Sequence, residues 1–113
     1  MVVALHHPPL TTGIKFMDAI GLENRSELEK VVEDFDGEVQ FVAGHVHGVH
    51  LGSLKGHTVV TAPAICSGFP FDCSETAPIG FHDGARGCAI INMAVGGTWT
   101  MIPFDHGQGP YAF

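Results

Sequence analysis

The chain has 113 residues, 45% of them hydrophobic, which allows a single domain with a core and no more. Its formal net charge is −7 with only five Lys and Arg, so charge-driven gripping of a nucleic-acid backbone is excluded, and an anionic small substrate would need a local cation to bind. No apolar run is long enough to span a bilayer, no leader pattern opens the chain, and three cysteines without a C-x-x-C spacing argue against a disulfide framework or a structural zinc site. Reduced thiols and a cytoplasmic location are therefore expected.

Val2 to Leu5 is a short apolar, β-branched run that stops at Pro8-Pro9, as a buried strand followed by a loop would. A domain that opens directly on such a strand reads as cut from something longer. Thr11 to Leu22 has a mixed pattern with two glycines and is expected to be an ordered loop. Leu28, Val31, Val32 and Phe35 then recur at i, i+3, i+4 and i+7, which predicts an amphipathic helix over 25–35. Asn24 with Glu27, or Ser26 with Glu29, offers a capping box, and Gly37 ends the helix. The acidic residues between Glu23 and Glu38 read as its solvated face, and Asp18 is taken with them rather than as a ligand.

Val39 to Ala43 is the next strand, ending at Gly44. Val49 to Leu54 and Thr58 to Thr61 flank Lys55-Gly56-His57 as a hairpin, with His50 and His57 as surface or cross-strand polar residues. Residues 63–84 form a long loop whose Phe69, Phe71 and Phe81 suit a substrate rim, an oligomer contact or core packing alike; Cys66 and Cys73 within it read as small buried residues. Cys88 to Val95 and Thr98 to Ile102 flank Gly96-Gly97, a two-residue primed turn, with Trp99 as a core or interface anchor, and 107–113 is a tail. The order predicts one α/β domain over 1–113, a mixed β-sheet half-sandwich in which β-α-β is followed by antiparallel hairpins. Strands apolar on both faces need cover, so a homo-oligomer or a separate partner is expected.

Function is most legible in the histidines. Leu5-His6-His7-Pro8-Pro9 and Gly44-His45-Val46-His47-Gly48 each close an apolar run. Residues two apart on a strand share a face, so His45 and His47 could reach one point, with His6 or His7 the nearest further donor and Gly44 removing a side chain where a metal or substrate approaches. Neutral imidazoles suit zinc, iron, manganese or nickel.

These two blocks, with Asp83-Gly84-Ala85-Arg86-Gly87-Cys88 further on, resemble the carboxy-terminal half of calcineurin-like metallophosphoesterases, particularly the cyclic-nucleotide phosphodiesterase group. There an H-x-P block and a G-H-x-H block supply ligands to a two-metal centre, matched here by His6-His7-Pro8 and Gly44-His45-Val46-His47. The resemblance implies that His6 and His45 bind one metal ion and His47 the other, as manganese, iron or zinc, with His7 behind the ligands or facing substrate. It implies half of a four-layer fold and hydrolysis of phosphodiesters such as cyclic nucleotides by metal-bound hydroxide. The D-x-H, G-D and G-N-H blocks of that family do not occur in this chain. Two metals need a bridging carboxylate to offset their repulsion, so the chain alone is expected to be inactive or nearly so. The alternative is a non-catalytic metal-binding or oligomerising module with a vestigial histidine site.

Overall fold

The computed structural model describes residues 1–95 and 97–104. The larger of its two sheets contains β1 (Val2–Leu5), β2 (Gln40–Ala43), β3 (Leu51–Leu54) and β4 (His57–Thr61), in the order β1-β2-β4-β3. β1, β2 and β4 run parallel, and β3 pairs antiparallel with β4. A second, two-stranded antiparallel sheet pairs β5 (Gly87–Asn92) with β6 (Thr98–Pro103). Helices α1 (Lys15–Ala19) and α2 (Arg25–Glu33) lie in the connection between β1 and β2. The fold is thus α/β with a mixed sheet: helices make the crossover between parallel β1 and β2, the histidine loop and β3 make that between parallel β2 and β4, and a tight turn joins antiparallel β3 and β4. That turn is Lys55-Gly56, both residues at positive φ, between the paired Leu54 and His57.

The β-branched and aromatic strand residues sort by period two. Phe41, Leu54 and Val59 pack with Val39 and with Val32 of α2, and Val3, Leu5, Leu10 and Leu28 surround them. His57 locks this layer: its Nδ1 accepts the Val39 N–H at 3.3 Å, which leaves Nε2–H to donate to the Val32 carbonyl at 3.2 Å. A histidine expected as a surface or cross-strand polar residue is therefore a link between helix and sheet. On the opposite face Ala4, Val42, Val60 and Leu51 stand in one register row across all four strands. Neither helix covers this row, and Leu51 is 76% exposed. Trp99 approaches it, lining a cleft of about 260 Å³ with Gln40, Val49, Leu51, Thr58 and Val60.

Several local expectations are corrected. Residues 11–22 are not all loop, because α1 forms there: Ile14 and Met17 bury against Val46, and the Asp18 carboxylate accepts the Thr12 hydroxyl and the N–H groups of Thr12 and Gly13. Helix α2 ends at Glu33 rather than 35, and the Asn24 amide donates to Glu27 at 3.4 Å instead of capping the backbone. Only Val32 of the apolar stripe is buried; Val31 is 70% exposed, since the short sheet offers room for one edge of the helix. Gly37 does not take a left-handed cap; a Cβ there would overlap the Phe35 ring. β5 stops at Asn92, whose Oδ1 accepts the Ala94 N–H, and a 3₁₀ turn, Met93–Val95, replaces the two-residue turn. Gly96 and the tail at 107–113 lie outside the described residues. Cys66 and Cys73 are exposed rather than buried, and all three cysteines are free. Among the described residues no helix is long and apolar enough to cross a membrane.

Candidate metal centre

Leu5 pairs with Ala43 in parallel register, so the chain leaves β1 and β2 at the same sheet edge and His6 stands beside Gly44. The Gly44 N–H donates to the His6 carbonyl at 3.1 Å, extending the ladder by one bond beyond the strands. Buried Pro8 and Pro9 end β1 and turn the chain away. Ring centroids of His6 and His45 lie 5.2 Å apart, of His7 and His45 4.2 Å, and of His6 and His7 5.0 Å. One ligand atom from each of the three can be chosen so that all lie within 4.8 Å of one another.

His45 is the inner member. Its Nε2 is buried and has no hydrogen-bond partner among the described residues, a condition that costs about 1–3 kcal/mol for an ordinary polar group. Burial pushes its pKa below the usual histidine value, and the neighbouring His7, His6 and His47 push it further in the same direction. The ring is thereby held neutral, the state a metal ligand requires. An orphaned, neutral nitrogen amid two further imidazoles fits a divalent cation of the zinc, iron or manganese type. Among the described residues no carboxylate belongs to the group.

His47 lies outside that group. β2 ends at Ala43, and His45 and His47 both have positive φ, 68° and 47°, so the strand alternation expected to bring them to one point does not extend through this loop. Left-handed backbone at non-glycine residues costs about 1–3 kcal/mol each and is held in place by the surroundings. Here Val46, 2% exposed, is wedged among Ile14 and Met17, and its N–H closes a tight turn on the Gly44 carbonyl at 2.8 Å. His45 is directed to His6 and His7, while His47 Nδ1 meets Ser67 Oγ at 3.0 Å and its ring stacks on Phe69. A methyl at Gly44 would sit 3.9 Å from His6 Nδ1, in ordinary contact, so the protein itself leaves room for a side chain there.

Two residues that hold the site escaped the sequence. Thr61, fully buried at the end of β4, donates its hydroxyl to the Gly48 carbonyl at 2.6 Å and accepts the His50 N–H at 2.8 Å, tying down the chain that follows His47. Ser67 is the other. His50 has its pKa lowered by burial, against an opposing pull from Asp18. It lines an open cleft of about 570 Å³ with Thr11, Thr12, Phe69 and Phe71, beside the histidine loop.

No family model matches the chain. It is 31% identical over 110 residues to the glycerophosphodiester phosphodiesterase GpdQ of Enterobacter lignolyticus, a match covering 97% of this chain and 38% of that protein. Similarity to a 3',5'-cyclic-nucleotide phosphodiesterase of Nostoc is 25% over 99 residues, covering 88% and 36% of the two chains. Similarity to the 3',5'-cyclic adenosine monophosphate phosphodiesterase CpdA of Escherichia coli is 30% over 74 residues, covering 66% and 27%. The chain spans little more than a third of the length of these relatives at most.

Proposed function

The chain belongs to the metallophosphoesterase family, and from that premise we propose that it is the carboxy-terminal portion of a metal-dependent phosphodiesterase acting on small phosphodiesters such as cyclic nucleotides. His45 with His6 and His7 would offer donors to one divalent cation, and His47 to its neighbour. The observation that carries this reading is the buried, unpartnered Nε2 of His45 inside a cluster of three imidazoles. Cations held there would polarise a phosphoryl oxygen and offset the charge that develops on it.

This chain's own part is to hold imidazoles at one sheet edge and to keep the loop that carries His45 and His47 rigid through Val46 and Thr61. The bridging carboxylate and the proton donor to the leaving group belong, on this reading, to a further portion of the enzyme. The row Ala4, Val42, Val60 and Leu51 is the face against which that portion packs, completing a four-layer fold. That the cluster among the described residues is histidine alone also favours a second reading, a metal-binding or oligomerising module without catalysis.

Calorimetric titration of the purified chain with zinc tests the proposal. Binding is expected, and His45→Ala abolishes it; failure of zinc to bind the wild-type chain would overturn the metal reading. Turnover of a model phosphodiester by the chain alone should be weak or nil. Turnover at ordinary enzyme rates that His45→Ala abolishes would mark a self-sufficient site instead.

A further inference from the structure

We propose that Ser67 is a positioning residue for His47: its hydroxyl accepts the Nδ1–H and so presents a bare Nε2 to a cation. The inference rests on the proposed role of His47 as a metal donor, and it brings part of the long 63–84 loop into the site. Ser67 is 8% exposed, and its Oγ lies 3.0 Å from His47 Nδ1. A hydroxyl can donate or accept, but a ring that binds a cation through Nε2 must carry its proton on Nδ1, which makes Oγ the acceptor. The hydroxyl hydrogen then has an outlet in Cys66 Sγ, 3.6 Å away.

The surroundings hold Ser67 where this contact needs it. Gly68, next in the chain, exchanges two backbone hydrogen bonds of 2.9 Å with His82, and Gly87 N–H donates to the Ala64 carbonyl at 3.0 Å, so the loop is clamped on both sides of Ser67. A Cβ at Gly68 would lie 3.0 Å from the Gly84 carbonyl oxygen and closer still to the His82 ring, so the clamp requires a residue without a side chain. One residue further, Phe69 lies flat against the His47 ring, with centroids 4.5 Å apart and planes 19° apart, while packing on Ile14, Met17 and Val46. The imidazole is thus held on its face by Phe69 and at its Nδ1 edge by Ser67. Both contacts come from a segment whose sequence carries no metal-binding signal.

The test is the tautomer of His47 in the metal-free chain, read from long-range proton–nitrogen NMR correlations above the titration of histidine, with His47→Gln giving the assignment. Wild type should show the Nδ1–H form. Ser67→Ala should shift His47 toward the Nε2–H form that an unconstrained histidine side chain favours, and Ser67→Thr should restore the Nδ1–H form. Zinc binding by the His6, His7 and His45 group should be unchanged in Ser67→Ala, because His47 lies outside that group. A serine that merely fills space would leave the tautomer unmoved. An Nε2–H tautomer in wild type, or one indifferent to Ser67→Ala, overturns the inference. A tautomer that responds while zinc fails to bind wild type overturns the metal reading and leaves the Ser67 contact standing.

Discussion

Replacing Thr61 with valine changes almost no volume and removes one hydroxyl, so its cost isolates what that hydroxyl does. The oxygen serves two backbone groups of the segment after His47: it donates to the Gly48 carbonyl at 2.6 Å and accepts the His50 N–H at 2.8 Å. Thr61 is fully buried, and valine leaves both groups, on half-buried Gly48 and His50, without this partner. Leaving a buried donor or acceptor unmade costs about 1–3 kcal/mol each, so the two together predict a loss of about 2–6 kcal/mol. That is a large fraction of the 5–15 kcal/mol typical of a domain. Thr61→Ser keeps the hydroxyl and loses one methyl, for which about 1 kcal/mol is expected. The measurement is urea unfolding of the three chains, with hydrogen exchange at the His50 amide as the local probe. A Thr61→Val chain within about 0.5 kcal/mol of wild type, with the His50 amide still protected, would refute the claim that this hydroxyl holds the histidine loop.

The metal-free chain should also lose stability in weak acid. His45 and His50 both have pKa values lowered in the fold by burial, so between those values and the unfolded value of about 6.5 the unfolded chain binds more protons. Unfolding free energy is therefore expected to be level above pH about 6.5 and to fall as pH drops below it, with a shallower fall in His50→Gln; a curve flat across that window would contradict the burial argument. Gly87→Ala should loosen the second sheet, because the new Cβ would meet the Ile102 carbonyl oxygen at 2.6 Å and Pro63 Cγ at 3.2 Å, and the backbone group cannot swing aside. A cost of about 1–3 kcal/mol and faster amide exchange along β5 and β6 are expected, and unchanged protection would show that the strands can separate without penalty.

How legible each feature was follows from whether its cause is local. β1, β2 and the β3–β4 hairpin could be read because their β-branched runs and the glycine turn state their own geometry within a few residues, although His57, expected in the turn, opens β4, and β3 starts at Leu51 rather than Val49. The pairing of His6 with the Gly44 loop followed from two parallel strands ending together. The helix α1 did not, since Ile14 and Met17 acquire their partner Val46 from a segment nearly 30 residues on, and no periodicity records that. The extent of α2 failed differently: the stripe Leu28, Val31, Val32 and Phe35 predicts burial, but burial needs a surface, and the sheet reaches only Leu28 and Val32. The division of labour between His45 and His47 was hidden for a third reason. The two rings look equivalent on an extended strand, and only the left-handed backbone at both positions turns one to the His6 cluster and the other to Ser67. Ser67 and Thr61 were out of reach altogether, as a buried hydroxyl in a non-helical segment leaves no pattern in its neighbours.

Charge and apolar surface lead to the same requirement by separate routes. Two divalent cations a few ångströms apart repel strongly, and neutral imidazoles supply donors but no compensating charge. The net charge of −7 does not help at that range, because the acidic residues ranged along α2 face solvent and are partly paired, Glu29 with Arg25 and Glu33 with Lys55. A second cation beside His47 therefore depends on a carboxylate from outside the cluster. Independently, the row Ala4, Val42, Val60 and Leu51 leaves part of its apolar surface in water, at Ala4 and at Leu51, 76% exposed, although Val60 is buried; each Å² so left costs about 25 cal/mol, a cost that covering it removes. Under the proposed function a single addition meets both needs, a second sheet laid on that face whose strand ends bring acidic groups to the edge where His6 and Gly44 already stand side by side.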